Sequence, residues 1–295
     1  MNQKYADRSK YIPWIFIPTL LAIVIQTAIS IFGLELYIVK ALGEAKGGNY
    51  TDFYVGVIKE FTQGDASAAM MLGYAVITAI LGAWIFLTQF RNHKFSSLRG
   101  KSNNVLFTVV GLIIFVIGMQ YVTLYLLNSL ASAFPSWLEE YNQLMETAGI
   151  DSEMTVLMTL YTVVLGPICE EILFRGITFS AAKKVMPVYF AILVQAIMFG
   201  AFHMNKLQGA YALVIGLGLG YIMYLYDNLF ITIIAHMMYN LLGTIGSEYM
   251  PMQESGSLIV FFVATLASLI AVYLSVIIMR KASAIVNNDR FFDDI

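Results

Sequence analysis

Eight apolar runs take up most of this chain, each about as long as a helix that crosses a bilayer, and few folds accommodate that much continuous hydrophobicity. They extend from Ile12 to Val39, Ala66 to Phe90, Val105 to Leu130, Met154 to Ala182, Val185 to Phe202, Leu207 to Tyr226, Asn228 to Ser247 and Gly256 to Met279. Backbone polar groups in hydrocarbon must be satisfied internally, so only helices or closed barrels span it. Barrel strands alternate apolar and polar residues, and these runs do not. The pattern predicts an all-α polytopic transmembrane helical bundle of about eight helices. Charged residues make up 12% of the 295-residue chain, about half the share in a soluble globule. With a net charge of -2 and no long basic block, the chain offers no footprint for nucleic acid.

Loop charges give the orientation. If the eight runs are spans, one set of loops and termini holds Lys4, Arg8, Lys10, Arg91, Lys94, Arg99, Lys101, Lys183, Lys184, Arg280, Lys281 and Arg290. The other set holds Lys40, Lys46, Lys59 and Lys206, interspersed with acids such as Asp52, Glu60, Glu139, Glu140 and Asp151. By the positive-inside rule both termini are expected to be cytoplasmic. The first run is too long for a signal-peptide core and lacks a small-residue cleavage site, so it is expected to be a retained span. The two longest loops, Gly43 to Asp65 and Pro135 to Glu153, then lie outside. No internal repeat divides the chain, which reads as a single membrane domain over 1–295 with a catalytic core over 154–247. Gly216, Gly218 and Gly220 predict close helix packing in the sixth span, and the single cysteine, Cys169, reads as a packing residue.

Ionisable groups within a span cost several kcal/mol unless they face the bundle interior or water, and they call for a functional explanation. Those well inside the runs, with His203 at the end of the fifth, fall between residues 170 and 240. The first cluster is Gly166-Pro167-Ile168-Cys169-Glu170-Glu171-Ile172-Leu173-Phe174-Arg175. Glu171 and Arg175 share a helical face with the acid on the favourable N-terminal side, so they can neutralise each other. Glu170 lies about 100° round the helix and faces another neighbour. Pro167 removes a backbone donor, which should bend the helix and expose a carbonyl nearby. The second cluster runs from Phe199 to His203, and the third from His236 to Asn240; in each the end residues share a face. The remaining histidine, His93, sits between Arg91 and Lys94 in a loop and reads as solvated.

A carboxylate and a neutral imidazole on adjacent helices can hold a water, take its proton during attack and return it to a leaving amine. Glu170 and His203 suit that pairing. An oxyanion needs fixed donors in a dry site, and the His236 imidazole with the Asn240 amide can supply them. No nucleophile-elbow serine is present. Two histidines and a glutamate also form a catalytic zinc set, here Glu170, His203 and His236, but without the usual His-Glu-x-x-His spacing. A metal-free site is therefore favoured, with zinc as the alternative. Helix rise puts His203 about 27 Å along the fifth run and His236 about 12 Å into the seventh, so convergence demands tilt, a broken helix or shifted ends.

The three clusters resemble the signature of the CPBP family of membrane-embedded proteins, which includes type II CAAX prenyl endopeptidases and bacteriocin-processing or Abi-domain proteins. The family pattern Glu-Glu-x-x-x-Arg, Phe-x-x-x-His, His-x-x-x-Asn stands here as Glu170-Glu171 to Arg175, Phe199 to His203, and His236 to Asn240. The resemblance implies an eight-helix intramembrane endopeptidase, with Glu170 and His203 activating water, His236 and Asn240 stabilising the oxyanion, and Glu171, Arg175 and Phe199 in support. It leaves the metal question open. Its expected partners are the bilayer and a peptide or membrane-protein substrate, in CAAX-type processing, peptide maturation or bacteriocin self-immunity; its expected location is a bacterial plasma membrane, multi-pass. Oligomeric state is unknown from sequence. Two other readings of the polar cluster are a non-catalytic scaffold or immunity protein using the same pocket, and a small-solute transporter. The absence of repeats argues against the latter.

Overall fold

The computed structural model describes residues 8–44, 49–63, 65–90, 104–147, 154–246 and 258–283. His93 and its neighbouring loop charges, together with Lys4, Lys46 and Arg290, lie outside the described residues. Among the described residues every regular element is a helix. In chain order these are α1 (Pro13–Glu44), α2 (Tyr50–Gln63), α3 (Asp65–Phe90), α4 (Val105–Ala133), α5 (Pro135–Thr147), α6 (Val156–Val185), α7 (Val188–Phe202), α8 (Lys206–Tyr226), α9 (Leu229–Gly246) and α10 (Leu258–Ala282). The chain is an all-α polytopic membrane bundle. Each of the eight apolar runs is a helix, with ends within a few residues of those expected.

Six of these helices, α1, α3, α4, α6, α8 and α10, are long and apolar enough to cross a membrane. The other two expected spans are shorter. The 15 residues of α7 rise about 22 Å, short of a hydrocarbon core of about 30 Å. Both short helices carry site residues, so shortness brings functional groups into the bundle.

Two elements correct the sequence reading. Residues 50–63 and 135–147, expected as loops, form α2 and α5. Their apolar residues are too sparse for a span but fall on one face: Val57 and Phe61 of α2 are buried one turn apart. Pro135 opens α5 at a position where a missing N–H costs nothing. That helix is fastened by stacking of Phe134 on Trp137 at 4.5 Å and by a Lys206–Glu140 ion pair at 2.8 Å.

The centre of the bundle is α6, where every residue from Ile172 to Thr178 is buried. Helices α1, α3, α7, α8 and α9 pack round it, and α10 lies along α4 at the periphery. Outward-facing Leu20, Val24, Ile80, Trp84, Phe262 and Tyr273 form an apolar surface suited to lipid. Close approach between helices rests on glycine, as expected, but against two neighbours. A Cβ at Gly216 would lie 3.2 Å from Ala196 Cα of α7, whereas one at Gly218 would meet the Phe115 ring of α4 at 2.5 Å.

The tightest helix contact is reciprocal: a Cβ on Gly200 would lie 2.7 Å from the Gly209 carbonyl oxygen, and one on Gly209 would lie 2.9 Å from that of Gly200. Both obstacles are backbone atoms and cannot rotate away. Gly200→Ala should therefore part α7 from α8 and lower stability by about 1–3 kcal/mol. Thermal unfolding in detergent would measure it, with Gly73→Ala as a control because nothing lies within 4 Å of a Cβ there. Equal midpoints for the two variants would refute this packing account.

Candidate active site

Helix α6 is not a uniform helix. Two π-helical turns, Tyr161–Leu165 and Ile172–Thr178, flank the short α-helical segment Gly166–Glu171 that carries both acids. Wide turns of this kind are rare and often accompany functional sites. The first follows from Pro167. Gly166 N–H bonds to Tyr161 O, one residue beyond the α-helical register. In that register the next donor would meet Thr162 O, but Pro167 has no N–H. The Thr162 carbonyl instead accepts a 2.8 Å hydrogen bond from Asn240 Nδ2 of α9. The carbonyl expected near Pro167 is thus exposed, and Asn240 satisfies it with one of its two amide hydrogens.

Glu171 and Arg175 pair as their spacing predicts, with Arg175 Nη1 donating to Glu171 Oε1 at 2.8 Å and both side chains fully buried. The pair also has a third member: His236 Nδ1 lies 2.8 Å from the same Glu171 oxygen. Arg175 reaches further, to Gly216 O at 3.4 Å, and its guanidinium lies 4.6 Å from the Phe199 ring centroid. Glu170, with 14% of its side chain exposed, turns its Oε2 to His236 Nε2 at 3.7 Å.

Phe199 is the common wall of the site. His203 stands edge-on to it at 5.0 Å and His236 at 5.8 Å, both nearly perpendicular. Phe174 packs on the same ring at 5.1 Å. The depth mismatch between the histidines closes here, because His236 meets α7 at Phe199, one turn before His203. His203 caps α7, and its Nδ1 is 2.9 Å from Phe199 O. The chain then turns through Met204, whose φ of 52° is left-handed and costs a non-glycine residue roughly 1 kcal/mol. Glu170, His236 and Arg175 are all within electrostatic range of His203.

The hydrogen bond to Phe199 identifies one ring nitrogen of His203 as a donor. A carbonyl oxygen only accepts, so His203 donates from Nδ1–H to Phe199 O; in the neutral ring the lone pair is then at Nε2. Among the described residues no three His, Cys, Asp or Glu side chains converge as a metal site.

Two residues absent from the sequence reading support this arrangement. Gln195, fully buried in α7, donates at 2.8 Å to Gly216 O, the carbonyl that Arg175 also reaches. A lone amide in an otherwise apolar run was its signal. Thr123 of α4 shares a 2.7 Å hydrogen bond with Tyr239, holding α9 beside Asn240. Cys169 is free and buried, as expected of a packing residue.

Residues 152–242, which contain all three clusters, match the family model described as type II CAAX prenyl endopeptidase Rce1-like. The matched segment, and not the chain as a whole, is similar to this family. With six helices long and apolar enough to cross a membrane, the chain is a multi-pass membrane protein, and the segment that carries its polar clusters is similar to a protease family. No curated protein and no solved structure matches the chain.

Proposed function

We propose that this CAAX-protease-like chain hydrolyses a peptide bond of a membrane-associated peptide or protein, with water as the nucleophile and without a resident metal. The observation that carries the reading is the 3.7 Å gap between Glu170 Oε2 and His236 Nε2, walled by Phe199 within a bundle of apolar helices. Glu170 and His203 draw a proton from the attacking water. The second amide hydrogen of Asn240 is directed to the oxyanion, and Phe199 excludes bulk water. Peptide maturation or bacteriocin self-immunity in a bacterial plasma membrane is the corresponding biological role.

Both termini face the cytoplasm in this proposal. In support, Lys10 and Lys184 lie over the same Tyr11 ring at 5.3 and 4.5 Å, which gathers two of the basic segments at one end of the bundle. Arg280 is within electrostatic range of Tyr221 and Tyr224, and Tyr224 contacts Tyr189 at the start of α7.

The test is cleavage of a membrane-tethered peptide library by the purified chain in proteoliposomes, run in ¹⁸O water with products read by mass spectrometry. One ¹⁸O in the new carboxyl terminus is expected. Preincubation with 1,10-phenanthroline should leave the rate unchanged. Inhibition reversed by zinc would instead make Glu170, His203 and His236 metal ligands. Absence of any cleavage, with a cellular phenotype that survives Glu170→Ala, would favour the scaffold reading.

A further inference from the structure

The two ends of the bundle differ in charge and in how closely they seal the site. At one end Lys10 and Lys184 lie over the Tyr11 ring, Tyr11 and Trp14 pack on Phe90, and Tyr226 donates to Met279 O at 3.3 Å and to Thr108 at 3.2 Å. These contacts gather the starts of α1 and α4 with the final turns of α3, α6, α8 and α10, and with them Lys183, Arg280 and Lys281. At the other end Lys206, the first residue of α8, pairs with Glu140 of α5 at 2.8 Å and lies 5.8 Å from the Trp137 ring. His203 closes α7 at this second end, three residues before Lys206.

From Glu170 towards the basic end, every residue of α6 from Glu171 to Phe179 is buried. Phe174 fills the floor of the site, packed on Phe199 at 5.1 Å and Phe202 at 5.7 Å. Towards the other end the packing loosens: Tyr161, Thr162 and Asn240 are half-buried, and Met204, beside His203, is 70% exposed. The wide π turn at Tyr161–Leu165 and the left-handed turn at Met204 both lie on this side. An ionisable group within a span faces water and not lipid, so the 14% of the Glu170 side chain left uncovered marks a water path. That path leads to the α5 end.

We propose that the site is entered from the end of the bundle that carries α2 and α5, opposite the basic cluster, and that its substrate is a peptide segment held at the non-cytoplasmic surface of the membrane. This rests on the hydrolysis and the orientation proposed above and names the side on which the substrate is presented. Basic residues favour the cytoplasmic side, so the sealed end is the cytoplasmic one. Phe199, which walls the acid and His236, lies one turn or about 6 Å before His203 along α7. About two extended residues, at 3.3–3.6 Å each, cover that depth. A tail that stays on the cytoplasmic surface would instead meet the buried floor made by Phe174 and Arg175.

Cys169 is the chain's one cysteine and is buried, so single engineered thiols report the route directly. In a Cys169→Ala background, Glu170→Cys in the full-length protein should react with a charged, membrane-impermeant methanethiosulfonate more than about tenfold faster in right-side-out than in inverted membrane vesicles, because the bilayer core excludes the reagent's charge. His203→Cys gives the same reading if Glu170→Cys does not insert. Asn142→Cys, exposed on α5, should share that preference, and Lys281→Cys at the end of α10 should show the reverse. Site thiols that react as fast or faster in inverted vesicles would overturn the proposal. Two reporters, with one peptide tethered on either face of the membrane, read the chemistry separately. Cleavage of the outward reporter alone is expected; cleavage of the inward one alone would overturn the entry route and leave hydrolysis standing. Cleavage of neither, with the site thiols still reached from outside, would bring down the hydrolytic reading, and the substrate with it, while the route stood.

Discussion

Glu170→Gln should reduce kcat/KM for peptide cleavage by about 10²–10⁴-fold, the range that a positioned general base contributes, while leaving insertion and folding intact. The two side chains have nearly the same shape, so packing round the site is preserved. The amide cannot take a proton, and it removes a negative charge from beside the imidazolium that forms during attack. Folding should tolerate the change because the ion pair to Arg175 is made by Glu171, whereas Glu170 keeps 14% of its side chain exposed. Steady-state kinetics in proteoliposomes, with size-exclusion profiles as the control for folding, would measure both parts. A well-folded variant retaining more than a tenth of wild-type kcat/KM would remove Glu170 from the chemistry.

The parts of this structure that were legible in the sequence are those governed by local periodicity. Long apolar runs marked all eight hydrophobic helices because lipid demands continuous hydrophobicity, and the four-residue spacing of Glu171 and Arg175 announced their pairing because helix geometry enforces it. What could not be read depends on tertiary contact. His236 reaches Glu171 across 65 positions, and no spacing rule ties them. Pro167 announced a disturbed helix, but nothing local said that the disturbance would be a π turn or that Asn240 would meet the freed Thr162 carbonyl. The amphipathic helices α2 and α5 escaped notice because a hydropathy reading tuned to spans treats short mixed segments as loops. The left-handed turn at Met204 was hidden for another reason: it occurs at a residue type that rarely adopts it.

Arg175→Met should be the most destabilising single substitution at this site, at about 3–5 kcal/mol, the cost of stranding a buried charge by removing its partner. Arg175 has no exposed surface, and its guanidinium serves Glu171 Oε1, Gly216 O and the face of Phe199 together. Methionine fills similar volume but leaves the Glu171 carboxylate with His236 as its single remaining hydrogen-bond donor at that oxygen. Arg175→Lys should rescue little, since a point-charge ammonium lacks the planar fork that reaches Glu171 and Gly216 at once. The double variant Glu171→Gln/Arg175→Met should be markedly more stable than Arg175→Met, because buried pairs are often replaced by neutral groups at small cost. A double-mutant cycle on the unfolding free energy would express this as a coupling of 1–3 kcal/mol. Additive effects, with each single change costing less than about 1 kcal/mol, would mean that helix packing holds α6 to α8 without the ion pair. His236 would then owe its orientation to Phe199 and not to Glu171. The stability cycle thus bears on the chemistry, because the carboxylate that neutralises Arg175 is the one that aims the imidazole.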